Sequence, residues 1–115
     1  MQYLLLIYEN EQTWNAIPAA EKQKLFGEYY ALTASLKESG HYLGGNPLQP
    51  VASAKTVRVR EERPVTTDGP FAETKEQLGG YFLVEARDFD EALAIAKRIP
   101  GARYGSIEVR PVMKV

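Results

Sequence analysis

Gln2-Tyr3-Leu4-Leu5-Leu6-Ile7-Tyr8 (residues 2–8) is apolar from its second position to its last, and Glu9, Asn10 and Glu11 close it at once. A run this short, bounded by polar residues, reads as a strand covered on both faces. A second run of the same kind, Tyr81-Phe82-Leu83-Val84-Glu85-Ala86, follows Gly79 and Gly80 and is interrupted only by Glu85. Two other segments alternate instead. Lys55–Glu61 sets Val57 and Val59 against Thr56, Arg58 and Arg60, and Ser106–Val112 sets Ile107 and Val109 against Glu108 and Arg110. Alternation marks a strand with one wet face. Pro111 has no N–H to give a neighbour, so the last strand belongs at an edge.

Helical patterns separate these strands. From Pro18 to Ser39, Leu25, Tyr29, Leu32 and Leu36 form one stripe, and Gly40 follows as a stop. The second helix begins at Asp88, an N-cap residue with Glu91 three positions on. It turns Phe89, Ala92, Leu93, Ala96 and Ile99 to one side and ends at Pro100-Gly101. Between the helices, His41–Ala54 holds Gly44, Gly45, Pro47 and Pro50 and reads as mostly irregular. A turn is expected at Arg63-Pro64, with Val65–Thr67 pairing back as a short hairpin arm.

The order is β-α-β-(arm)-β-α-β, the split βαβ plan of ferredoxin-like α+β folds with an antiparallel sheet. That topology makes the first and third main strands central, and those are the continuously apolar pair. Two helices cover only one face of such a sheet. Tyr3, Leu5 and Ile7 face opposite to Leu4, Leu6 and Tyr8, so one set is left for a partner. A homodimer packed sheet on sheet, a dimeric α+β barrel, is the expected assembly.

Composition narrows the chemistry. The chain has 115 residues, 14 basic and 15 acidic side chains, no cysteine and one histidine. One domain over residues 1–115 is expected at this length. The absence of cysteine excludes disulfides, thiol nucleophiles and iron–sulfur clusters. A single histidine excludes sites that need two. The near-neutral charge lacks the basic footprint of a nucleic-acid binder, and the strand after Gly79-Gly80 lacks the alternating aromatics of an RNA-recognition module. The first apolar run is too short to span a membrane or act as a leader, so a cytoplasmic protein is expected, with no nucleic-acid or membrane partner. No nucleotide fingerprint is present and no cofactor or metal is expected.

The informative stretch is Asp68–Leu78, longer than a typical connection. Asp68-Gly69-Pro70 is strong turn chemistry, and Glu73, Lys75 and Glu76 crowd charge behind it. In that reading Asp68 caps the turn through backbone hydrogen bonds and Phe71 anchors it by burial. Asp68, Glu73 and His41 are the candidate acids and bases. Arg58, Arg60, Lys75 and Tyr81 are the candidate ligand-binding groups, the two arginines being spaced to grip an anion. Against these stand plainer readings: a rigid turn, a solvated charge cluster, a helix-end histidine and an arginine-protected edge.

Asp68-Gly69-Pro70-Phe71-Ala72-Glu73-Thr74-Lys75-Glu76, followed by Gly79-Gly80-Tyr81, resembles the signature of the DGPF proteins in the YCII-related group. The likeness continues through Asp90-Glu91-Ala92 and Ile107–Val112. The resemblance implies a ferredoxin-like dimeric α+β barrel and an association with extracytoplasmic-function sigma factors, beside which such proteins are often encoded. Better-understood relatives include an enzyme acting on chlorinated hydroxyquinols, with a His–Asp pair proposed as its site. Here the long helix holds no histidine, and His41 comes after it, so that pair is not carried over. Two functions are therefore expected as alternatives. One is a small-molecule-binding homodimer, a metal-independent lyase, isomerase or hydrolase with its site between the sheet face and the 68–78 loop. The other is a non-enzymatic interaction module for a sigma factor.

Overall fold

The computed structural model describes residues 1–115. Strand β1 (Gln2–Glu9) leads through a short helix α1 (Glu11–Ala16) into α2 (Ala19–Glu38). Strand β2 (Tyr42–Pro47) follows, then a hairpin of β3 (Lys55–Arg60) and β4 (Arg63–Asp68). Strand β5 (Gln77–Glu85), helix α3 (Phe89–Lys97) and strand β6 (Ser106–Pro111) complete the chain. The main sheet is antiparallel in the order β2-β5-β1-β6, so β1 and β5 are central, as their continuous apolar runs require. This is the ferredoxin-like α+β arrangement.

One strand differs from the sequence reading. The edge strand beside β5 is β2, not Lys55–Glu61, which pairs only with β4 in a sheet of two strands. Gly44 and Gly45, read as breakers, lie within β2 instead. A Cβ at Gly45 would stand 2.9 Å from the Tyr81 carbonyl oxygen and 3.0 Å from Phe82 Cδ1, so only glycine lets the two strands approach. The hairpin turn also moves, from Arg63-Pro64 to Glu61-Glu62, whose φ values of 52° and 65° suit a two-residue primed turn. Pro64 then faces Val59 one pair beyond the closing pair Arg60–Arg63, at a position whose N–H points away from the ladder, so the proline costs no bond. Gly79 and Gly80 lie inside β5 rather than before it, Gly79 being the extra residue of a bulge opposite Ile7 and Tyr8.

The core lies between the sheet and the helices. Tyr3, Leu5 and Ile7 of β1 and Phe82 and Val84 of β5 meet Leu32 and Leu36 of α2. From α3 come Ala92, Ile95 and Ala96, with Ile99 just beyond; Ile95 takes the place expected for Phe89 and Leu93, which are exposed. Helix α2 ends in a Schellman turn: Gly40 takes φ 80°, and the His41 N–H reaches the Leu36 carbonyl at 2.9 Å. Asp88 caps α3 by accepting the Glu91 N–H at 2.9 Å, while Glu91 accepts the N–H of Arg87, one residue before the cap.

Two surfaces are left unpartnered. Leu4, Leu6, Tyr8, Tyr81 and Leu83 occupy the sheet face away from the helices, only half-buried by one another. The β3–β4 arm has no core of its own: Val57 is 64% and Val59 58% exposed. The arm stretches the molecule to 47 × 43 × 19 Å, with a radius of gyration of 16.0 Å. A compact domain of roughly 100 residues has about 13 Å.

Candidate functional site

A cleft lies on the helix side of the sheet, between α1, α2 and the segment from β2 to Pro50, with a volume of about 600 Å³. Its walls carry Trp14, Phe26, Tyr29, Tyr30, Tyr42 and Phe82. Three of these come from one face of α2. Phe26, Tyr30 and Thr33 form a second stripe, one residue on from the core stripe Leu25, Tyr29, Leu32 and Leu36. Trp14 is packed edge-to-face on Phe26 at 5.7 Å, so α1 closes one end of the cleft.

Two carboxylates enter this aromatic space. Glu11 is committed, since its Oε1 accepts the Val51 N–H at 2.9 Å. Glu9, the last residue of β1, follows Tyr3, Leu5 and Ile7 onto the helix side of the strand by plain alternation. No protein donor hydrogen-bonds its carboxylate. Burial pushes its pKa above the ordinary glutamate range, and the neighbouring charge of Glu76 pushes it in the same direction. Tyr29 is raised to about 12, first by burial and then by Glu9. Its hydroxyl oxygen accepts the Gly101 N–H at 3.1 Å. A partly desolvated carboxyl with no protein partner is a group able to give or take a proton from a ligand.

The residues singled out from sequence are dispersed. Tyr81 borders the cleft along β5, but its side chain belongs to the sheet face away from the helices, where its hydroxyl receives the Asn46 amide at 3.0 Å. Asp68 ends the arm, its side chain 87% exposed and paired with Lys55 Nζ at 3.1 Å. It does not cap the following turn, because the strand pairing of Lys55 with Asp68 brings that ammonium to its carboxylate, and the Gly69 N–H goes to the Ala54 carbonyl. Phe71 is 74% exposed rather than buried; Arg58 stacks over its ring at 5.0 Å. Arg60, Glu73 and Lys75 are exposed, Arg60 bonding only the neighbouring Val59 carbonyl. The 68–78 loop meets the cleft only at its end, where Gln77 lines it and Glu76 faces Glu9.

His41 sits elsewhere, in an open hollow with Ser39, Glu85 and Glu91. Its Nδ1 is 2.6 Å from Ser39 Oγ and its Nε2 is 3.1 Å from Glu91 Oε1. The imidazole joins the end of α2 to the start of α3, away from Asp68 and Glu73. No three His, Asp or Glu side chains converge as a metal-holding group, and no helix is long and apolar enough to cross a membrane. Sequence reading missed Glu9, Phe26 and Tyr30. The available signals were a carboxylate directly after a buried strand and aromatics beside, rather than within, the core stripe.

Comparison with known proteins gives the following likenesses. Uncharacterized protein R00369 of Rhizobium meliloti (strain 1021) is 35% identical over 114 residues, covering 97% of this chain and 92% of its own. A solved structure of 5-chloro-2-hydroxyhydroquinone dehydrochlorinase (TftG) from Burkholderia phenoliruptrix AC1100, in complex with 2,5-dihydroxybenzoquinone, aligns over 98% of this chain and 94% of that one. Its identity is 16% and its TM-score 0.49. The YCII-related domain matches residues 1–115. The chain belongs to the YCII-related family.

Proposed function

We infer that the protein is a homodimer that binds a small aromatic molecule in the Glu9 cleft and moves a proton on it, in a lyase or isomerase step that needs no metal. The observation that carries this reading is the unpaired, partly desolvated Glu9 carboxyl inside an aromatic cleft of about 600 Å³. Apolar walls with a few convergent polar groups are the usual form of a ligand site. Glu9 is the proton carrier, and the Tyr29 hydroxyl, whose oxygen is held by the Gly101 N–H, stands beside it.

The bare sheet face supports the dimer, because Leu4, Leu6 and Leu83 otherwise meet water. The arm supports it too, since a lone two-stranded hairpin is marginal without something to pack on. Arg58, Arg60, Asp68, Glu73 and Lys75 stand on the arm or its exit, where they reach a ligand only through the partner copy. Removing residues 56–67 and joining their ends with glycines tests this role. Loss of the dimer supports an arm that packs on the partner copy. A dimer that persists leaves the arm free for a different protein, the interaction-module reading that its exposed valines also favour.

The chain holds one tryptophan, Trp14, and it lines the cleft. Titration with benzyl alcohol followed by Trp14 fluorescence therefore tests the site. A saturable change that is lost in Phe26→Ala is expected. No change at any soluble concentration would count against the cleft.

A further inference from the structure

Among the 21 residues that line the cleft, two are glutamates and none is lysine, arginine or histidine. Six of them present aromatic rings without counting Tyr81. An anionic ligand would meet no positive group there and would face Glu9 and Glu11. A neutral hydrocarbon ring would cover the Glu9 carboxylate without supplying a donor, a neutral hydroxyl would supply one without balancing the charge, and a covered, unbalanced carboxylate is costly. A cation satisfies both features, because aromatic faces attract it and the carboxylate pairs with it. The protein already uses its rings in this way: the Lys22 ammonium lies 5.3 Å from the Trp14 ring centroid, and that of Lys37 lies 5.1 Å from the Tyr42 centroid. Neither lysine lines the cleft, so its interior carries no cation of its own.

We propose that the Glu9 cleft is selective for organic cations, an arylalkyl amine in its ammonium form whose charge pairs with Glu9. This rests on the reading of the cleft as the ligand site. Glu11 is spent on the Val51 N–H, so Glu9 is the pairing group and Glu11 adds only long-range attraction. Groups that tune Glu9 are Glu76 at the end of the loop and Tyr29 from α2. Ser106 Oγ, which donates to Glu76 Oε1 at 2.9 Å, holds the former in place.

The test compares three probes of one size on the whole protein by Trp14 fluorescence at neutral pH: benzylammonium, benzyl alcohol and benzoate. Benzylammonium is expected to bind about tenfold or more tightly than benzyl alcohol, equivalent to about 1.4 kcal/mol, with benzoate weakest. Glu9→Gln is expected to abolish the preference of the cleft for benzylammonium over benzyl alcohol. In the wild type the preference is expected to grow as pH rises and Glu9 ionises, a readout that needs no variant. Equal binding of benzylammonium and benzyl alcohol, or tighter binding of benzoate, overturns the cation selectivity and leaves the cleft as the site. Silence of Trp14 toward all three probes overturns the cleft reading itself.

Discussion

Tyr29 accepts the backbone N–H of Gly101 at 3.1 Å, a bond between residues 72 positions apart that ties α2 to the turn after α3. The contact has no room to spare. A Cβ at Gly101 would stand 2.8 Å from Tyr29 Oη, 3.1 Å from Glu9 Oε1 and 3.1 Å from Ile7 Cγ2. Gly101→Ala is therefore expected to destabilise by about 1–3 kcal/mol through overpacking. Tyr29→Phe should cost about 0.5–1.5 kcal/mol for the lost hydrogen bond. Because the two changes share one contact, the alanine should cost less in the Tyr29→Phe background, and urea unfolding of the four proteins measures that coupling.

Glu9 carries a stability signature distinct from that of a structural carboxylate. Its folded pKa lies above the unfolded one. The folded state therefore holds the proton longer, and stability falls as pH rises from the ordinary glutamate range through the raised value. Glu9→Gln removes that penalty. The variant is expected to melt at a higher temperature than wild type at neutral pH and at nearly the same temperature below the ordinary carboxylate range. A variant less stable than wild type at neutral pH would mean that Glu9 is held by favourable partners.

The cap of α3 behaves in the opposite way. Asp88 and Glu91 are both lowered, first by the backbone N–H each accepts, from Glu91 and Arg87 respectively. Their contribution is present above the ordinary carboxylate range and is lost as pH falls through the lowered values. Asp88→Asn keeps a side-chain oxygen for the Glu91 N–H, so it should melt above Asp88→Ala at neutral pH, and both differences from wild type should shrink in acid. Thermal melts across acid pH check the order.

The two faces of β1 separate stability from assembly. Leu5 is fully buried under the helices, so Leu5→Ala should cost about 2–5 kcal/mol and leave the subunit count unchanged. Leu4 and Leu83 pair across β1 and β5 on the bare face. Leu83→Glu is expected to yield a folded monomer of 12.9 kDa by light scattering, where wild type gives about twice that mass. A monomeric wild type at micromolar concentration would remove the dimer.

Much of the fold was legible in the residues, because the strongest patterns belonged to the elements that bury most. The continuous runs of β1 and β5, the stripe of α2 and the Asp88 cap all appear where periodicity and chemistry place them. The strand β2 was hidden because Gly45 serves close approach to β5, and a glycine pair in isolation reads as a loop. Lys55–Arg60 alternates as an edge strand should, and it is a strand, but alternation does not say which strand it pairs with. The candidate site was less legible. Glu9 becomes distinctive only through burial and the approach of Glu76, two facts of tertiary packing. Phe71, conspicuous in sequence, lies exposed on the arm's exit beneath Arg58.

Chemical-shift mapping of benzylammonium on the isotope-labelled protein tests the placement of the site most directly. Shifts concentrated at Glu9, Trp14, Tyr30, Gly80 and the Tyr29–Gly101 contact are expected, and they should vanish in Phe26→Ala. Shifts confined to the Asp68–Glu76 loop or to Leu4, Leu6 and Leu83 on the open sheet face would contradict it.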